Sequence, residues 1–235
     1  MTGPTHELGV RTTVDIAGHR PLLLVPVGSC EQHGPHLPLD TDTRIAVAVA
    51  TEAATLLGLP SGRPAAVVAP AIAVGASGEH DGFAGTLSIG EAAVELVITE
   101  LVRSADHFAG VVVVNAHGGN ARALQRAVRT AEHDRRRLLV WHASVPGGDA
   151  HAGRTETSLL LGLAPHLVAT DRLAPGNTTP LADFLVPLGR DGVRAVSPNG
   201  VLGDPGGASA DEGRVLLDGL AGRLVAAIES WSRSG

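Results

Sequence analysis

The chain has 235 residues, 44% hydrophobic and 18% charged, with a formal net charge of −6. That length and apolar content can bury a substantial core within one α/β domain, while the negative charge, with no basic run beyond Arg135, Arg136 and Arg137, argues against a nucleic-acid or anionic-membrane surface. All cationic side chains are arginine, which excludes lysine Schiff-base chemistry and a P-loop lysine; the single cysteine, Cys30, excludes an intramolecular disulfide and fits a reducing cytoplasm.

In chain order, the first apolar run, Leu22–Val27, reads as a buried strand. It leads into "VGSC", which looks like a lipoprotein cleavage box, but the run is too short for a signal-peptide core, is broken by Pro26 and follows acidic residues. A helix is expected over Thr43–Leu57, a strand over Ala66–Ala69, and a helix over Glu91–His107 whose start is marked by Ser88 and Glu91 at capping-box spacing. A strand over Val111–Asn115, a helix over Ala121–Arg135 and a strand over Leu138–His142 follow. From Ala174 to Ala208 prolines and glycines break every pattern but a short apolar patch at Phe184–Leu188, as in a functional loop or a subunit contact. Ser209 and Glu212 then repeat the capping-box spacing before a terminal helix reaching about Trp231.

Short β-rich runs alternating with amphipathic stretches are the mark of βαβ units and a mostly parallel sheet. No apolar run reaches the roughly 18 residues of a membrane span. The expectation is one α/β domain over residues 1–235, without a nucleic-acid or membrane partner, in the cytoplasm.

Ligands in open α/β sheets bind outside the carboxyl ends of the strands, and three of the four expected strands end in chemically capable residues. "VPVG" runs into Glu31 and His33, "VVVVN" into "AHGGN" with His117, and "LLVWHA" into "GGDAHAGRTETS" with Asp149, His151 and Glu156. Glu31 and His33, two apart, share a side of an extended segment. With Asp42 returning from the loop and His117 arriving from another strand, the set mixes carboxylate and imidazole, which suits zinc, manganese or iron(II) rather than calcium or a structural zinc site. A carboxylate such as Asp42 can bridge two ions, with Glu31 and His117 on one and His33 on the other.

Other features carry less. His6, His19, His107, His133, His142 and His166 read as ordinary loop or core histidines. Gly118 and Gly119 match neither G-x-G-x-x-G nor the P-loop, Ser29 and Ser158 lack the G-x-S-x-G elbow, and Cys30 has no evident base beside it, which makes it a bystander in the ligand loop.

The stretches "PVGSCEQHGPHLPLDTDT", "GASGEHDGFAGTLSIG", "VVNAHGGN" and "HAGRTETS", in this order, resemble the creatininase-type amidohydrolases. The resemblance implies an α/β/α sandwich with a mostly parallel central sheet, a homo-oligomer that is commonly a hexamer, and a two-metal hydrolase of carbon–nitrogen amide bonds. It carries Glu31, His33, Asp42 and His117 over as metal ligands, with Asp42 as the bridge, and His151 as the catalytic histidine that carries a proton to the departing nitrogen.

One departure is Gly119, where the creatinine-hydrolysing namesake has a glutamate; Glu156 is then expected to complete the second metal. The alternative for Glu156 is a helix N-terminal charge. His36, Glu79, His80, Asn120 and Asp149 are candidates for a substrate-binding or supporting shell. "SVPGGDAHAG" lacks the tryptophans the namesake closes over creatinine, so creatinine is disfavoured.

"PGNTTPL", "AVSPNGVLGDP" and "ASADEG" resemble most closely the family's branch in mycofactocin biosynthesis. That implies a modified precursor peptide as substrate, cleaved near its C-terminus to release a cyclised dipeptide of valine and tyrosine origin. A small-molecule amidohydrolase and an inactive metal-binding scaffold are the competing readings.

Overall fold

A computed structural model describes residues 6–58 and 63–233. In chain order it contains α1 (Thr13–Ile16), β1 (Leu22–Val27), α2 (Thr41–Leu57), β2 (Ala66–Val68), α3 (Glu91–Ser104), β3 (Val111–Asn115), α4 (Ala121–His133), β4 (Leu138–His142), α5 (Arg154–Leu163), α6 (Leu181–Asp191), α7 (Val193–Val196) and α8 (Ala210–Arg233). The four strands form one parallel sheet in the order β2-β1-β3-β4.

Strand alternation divides the core. Leu24, Val112 and Val114 face α2, α5 and α8 through Ile45, Val49, Leu159, Leu160, Leu220 and Leu224. Leu23, Val25, Val27, Val111 and Val113 face α3 and α4 through Val94, Ile98, Leu124 and Ala127. Helices on both faces explain why β1 and β3 are continuous apolar runs rather than alternating ones; the result is the expected α/β/α sandwich.

Pro26 lies in a central strand, where a missing N–H normally breaks the ladder. Here Leu22 N–H donates to Ala65 O, while Leu24 O and Pro26 O accept from Ala69 and Ile72, so even-numbered residues of β1 face β2. Since β2 ends at Val68, Pro26 falls beyond their paired residues and costs that ladder nothing.

Several boundaries differ from expectation. α2 begins at Thr41, so Asp42 stands in a first helical turn instead of a loop. α3 and α4 stop short of His107 and Arg135, and β2 stops at Val68. Ser88 does not cap α3: Gly90 occupies that place and the Ser88 hydroxyl accepts the amides of Ser77 and Gly90 instead. At α8 half of the expected box forms, with Glu212 N–H donating to Ser209 Oγ, while the Glu212 carboxylate turns to Arg154 and Ser158. The segment 174–208 is not wholly irregular: Phe184–Leu188 lies in α6, which carries Pro187 within it, and α7 follows.

β1 sits between β2, next in sequence, and β3, on its other side. The direction of winding therefore reverses between β1 and β3, and a crevice opens at their carboxyl ends.

Candidate active site

The loop after β1 delivers Glu31 and His33, the loop after β3 delivers His117, and the first turn of α2 delivers Asp42, all at that crevice. Asp42 is spread between two imidazoles. Its Oδ2 lies 3.2 Å from His117 Nδ1 and its Oδ1 lies 3.1 Å from His33 Nε2. Ser29 donates a hydroxyl hydrogen bond to Oδ2, fixing the carboxylate plane.

Three sets of side chains bring their ligand atoms within 4.8 Å of one another: Glu31, Asp42 and His117; His33, His151 and Glu156; and Glu31, His80 and His151. Glu31, His33, Asp42, His80, His117 and His151 are buried. Glu156, 19% exposed, stands in the first turn of α5 with Oε2 3.9 Å from His33 Nε2. Both Glu31 oxygens are buried without accepting a hydrogen bond, although His117 Nδ1 stands 3.1 Å from Oε1. A buried carboxylate left in that state is costly unless a cation completes it.

The imidazoles are oriented from behind. His33 donates through Nδ1 to Glu31 O at 3.1 Å, and His117 through Nε2 to Ala76 O at 3.0 Å. Backbone carbonyls thus fix both tautomers and leave Nε2 of His33 and Nδ1 of His117 facing the carboxylates, as ligating histidines are usually held. The residues present therefore fit divalent metal ions.

Crowding of charge shows in the proton affinities. Burial alone would lower His33, but Asp42, together with Glu156 and Glu31, outweighs it and raises the imidazole to about 10. His117 is likewise raised well above its ordinary value, burial being overcome by Asp42 and Glu31. Burial pushes Glu156 up to about 7, and burial with neighbouring imidazole charge drives His151 well down and His80 down to about 3.

The surrounding candidates divide. Glu79, 29% exposed in the turn Gly78–His80, has Oε1 3.4 Å from His117 Nε2, on the side away from Glu31 and Asp42. Asn120 is buried behind the site; its amide donates to Gly28 O and Asn115 Oδ1 while its oxygen accepts Ala76 N–H, tying β1, β3 and the 76–80 loop together. His36 turns away from the cluster to Thr157 Oγ1 at 2.9 Å, joining the loop after β1 to α5.

Asp149 lines the cavity beyond Glu156, and its two oxygens accept the amides of Arg154 and Thr155 at the start of α5. Cys30 Sγ donates to the Gly85 carbonyl at 3.8 Å.

Gln32 was not among the expected residues. Strand alternation would point it away from Glu31 and His33, yet the loop is irregular and buries it between His80 and His151. Its position inside "EQH" was the one available signal.

Beyond His117 and Glu156 lies a cavity of about 220 Å³, walled by Ile45, Leu159, Gly118 and His142. A larger surface hollow of about 360 Å³ between α3 and α4 is remote from the cluster, and its Arg103 and Arg126 are already paired with acids. Among the described residues, no helix is long and apolar enough to cross a membrane.

The family model described as "Creatininase: Creatinine amidohydrolase" matches residues 8–228. The chain is 50% identical over 229 residues to the mycofactocin precursor peptide peptidase of Mycobacterium ulcerans (strain Agy99), covering 96% of this chain and 92% of that one. It is 50% identical over 225 residues to the protein of the same name from Mycolicibacterium smegmatis (strain ATCC 700084 / mc(2)155), covering 95% and 91%. A solved structure described as "Creatininase Mn" superposes with a TM-score of 0.79 at 24% identity, covering 97% of this chain and 98% of that one.

Proposed function

The chain belongs to the creatininase family, and on that premise we propose that it is a metal-dependent peptidase that hydrolyses an amide bond near the C-terminus of a modified precursor peptide in mycofactocin biosynthesis. The observation that carries the reading is Asp42, whose two oxygens face two separately oriented imidazoles beside the hydrogen-bond-free carboxylate of Glu31. The names of the half-identical relatives support the substrate.

Glu31, Asp42 and His117 would hold one divalent ion, and His33, Glu156 and the second oxygen of Asp42 the other. Zinc, manganese and iron(II) all suit this donor set. When bound, such ions polarise a carbonyl oxygen and make water nucleophilic at neutral pH. His151 stands beside them with Nδ1 3.9 Å from Glu31 Oε1; with its proton affinity lowered by burial, it is neutral at pH 7 and able to take a proton from water and pass it to the departing nitrogen. The crevice walls exclude bulk water from Glu31 and His33, which are fully buried.

The proposal includes a homo-oligomer of six chains in the cytoplasm. Exposed Leu87, Leu96, Leu185 and Val186 are apolar surface that such contacts would cover.

The test is incubation of the metal-loaded chain with the modified precursor peptide, followed by mass spectrometry. The expected result is release of the C-terminal cyclised dipeptide, abolished by chelator and restored by divalent metal. Intact peptide after incubation with folded, metal-loaded protein would redirect the reading to a small-molecule amide.

A further inference from the structure

Gln32 ties together Gly34, His80, His151 and Gly200 around the site. Its Oε1 accepts the Gly34 amide at 2.9 Å and its Nε2 donates to the Gly200 carbonyl at 3.1 Å. Because one partner can only donate and the other can only accept, the amide's orientation is unambiguous. A Cβ at Gly200, which has φ +82, would collide with the Gln32 amide, so the 199–201 turn is shaped around this side chain.

An amide nitrogen has two hydrogens. One goes to Gly200 O, and the other faces His80 Nδ1 at 2.8 Å. His80 Nδ1 must therefore be the acceptor, which places the His80 proton on Nε2, 3.3 Å from Glu31 Oε1. His151 Nε2 lies 3.0 Å from the same amide nitrogen but also 2.8 Å from the main-chain carbonyl of Gln32. With both amide hydrogens spent, His151 Nε2 carries its own proton and donates it to that carbonyl. Its Nδ1 is left as a lone pair turned toward Glu31.

We infer that Gln32 is a positioning residue that writes the tautomers of two histidines at once, turning the His80 Nε2 proton toward Glu31 and freeing His151 Nδ1 to accept a proton. It also decides between two uses of one cluster. Glu31, His80 and His151 have the spacing to hold a cation of their own, but a ligating His80 Nε2 would put its proton on Nδ1, against the Gln32 N–H. Turning the amide over would relieve that clash only by setting its N–H against the Gly34 amide and its oxygen against the Gly200 carbonyl. The chain thus holds two ions and not three. This deepens the proposed function and rests on it for the reaction, though not for the tautomers.

The experiment uses the isosteric variant Gln32→Glu beside the wild type, both zinc-loaded, with Gln32→Ala as a second variant. Long-range proton–nitrogen spectra of the histidine rings, assigned with His80→Asn and His151→Asn, report the tautomers without any substrate. The wild type is expected to show Nε2–H at both rings and two zinc ions per chain. In Gln32→Glu, an acceptor now faces His80 Nδ1, and that nitrogen should become protonated. On the precursor peptide, kcat should fall about tenfold to a hundredfold while KM stays within about twofold.

A wild-type His80 protonated at Nδ1, a His80 spectrum unchanged in Gln32→Glu, or a third zinc in the wild type would each overturn the inference. So would a switched tautomer with unchanged kcat. A wild type with the expected tautomers that leaves the peptide intact would instead overturn the proposed substrate.

Discussion

The carboxylate of Glu79 fills the space that a side chain at Gly119 would need. A Cβ on Gly119 would collide with Glu79 Oε1, Ala76 O and His117 Nε2. The residue type that distinguishes this chain from the creatinine-hydrolysing namesake is thus enforced by its neighbours, and the glutamate missing at 119 has no room to return. Glu79 itself approaches His117 from behind, so it supports that imidazole and does not replace a ligand. Gly119→Ala is expected to destabilise the protein by about 1–3 kcal/mol and to lower zinc content. A folded Gly119→Ala protein with full zinc content and unchanged Tm would refute this packing.

Glu156 separates a two-metal site from a one-metal site. Glu156→Gln keeps the shape but removes the charge facing His33, and zinc content by atomic emission should drop from two ions per chain to one. Glu31→Gln and His117→Ala should each cut hydrolysis by more than about a hundredfold, beyond the effect of a supporting residue. Retention of two zinc ions in Glu156→Gln would return Glu156 to the role of a helix-terminal charge.

Metal uptake should release protons. His33, raised to about 10, and His117, raised well above 6.5, both carry protons at pH 7 in the metal-free chain, and a ligating nitrogen must lose its proton. A raised proton affinity means the proton stays on until pH climbs, so metal affinity should strengthen as pH rises from 6 to 8, by roughly tenfold per unit for each proton displaced. By the same sign, the stabilisation that His33 gains from Asp42 in the metal-free fold is complete below 6.5 and lost as pH passes about 10. Calorimetry at pH 7 in buffers of different ionisation enthalpy should show release of about two to three protons per chain, from His33, His117 and the protonated fraction of Glu156, which is raised to about 7; uptake or no exchange would contradict it.

Gly118 faces open space and lines the 220 Å³ cavity beside His117 and Glu156. Gly118→Leu should therefore fold and load metal normally but narrow the cavity, raising KM for the precursor peptide roughly tenfold, the scale of a filled or emptied pocket position. Unchanged KM would show that the substrate lies elsewhere in the crevice.

α5, which carries Glu156, is pinned by α8. Gly213 passes so close to the Ser158 carbonyl that any Cβ would collide with it, while Glu212 accepts from Arg154 Nε and Ser158 Oγ. Gly213→Ala normally gains about 1 kcal/mol of helix propensity; here the collision, about 1–3 kcal/mol or more, should dominate. The expected sign is a lower Tm by thermal denaturation, and a raised Tm would show that the two helices separate freely.

The sequence by itself determined the sheet and the polar residues gathered at its carboxyl end. Leu22–Val27, Val111–Asn115 and Leu138–His142 are strands with the boundaries their apolar runs announce; β1 and β3 are buried on both faces and leave no polar position inside, while β4 is a partly buried edge. Polar residues concentrated after those runs marked the crevice, so Glu31, His33, Asp42 and His117 were legible before any coordinate was known.

What only the tertiary structure decided depends on contacts between distant segments. Asp149 reads in sequence as a member of a substrate-binding or supporting shell, and in the fold both its oxygens accept the amides of Arg154 and Thr155. Gln32 carries no sequence expectation between Glu31 and His33, yet Gly200, 168 residues away, and His80, 48 residues away, give it its contacts. Local patterning reports which side chains sit beside a strand end. Which nitrogen of an imidazole carries its proton is set by the partner on the ring's far side, and for His80, His117 and His151 that partner comes from elsewhere in the chain.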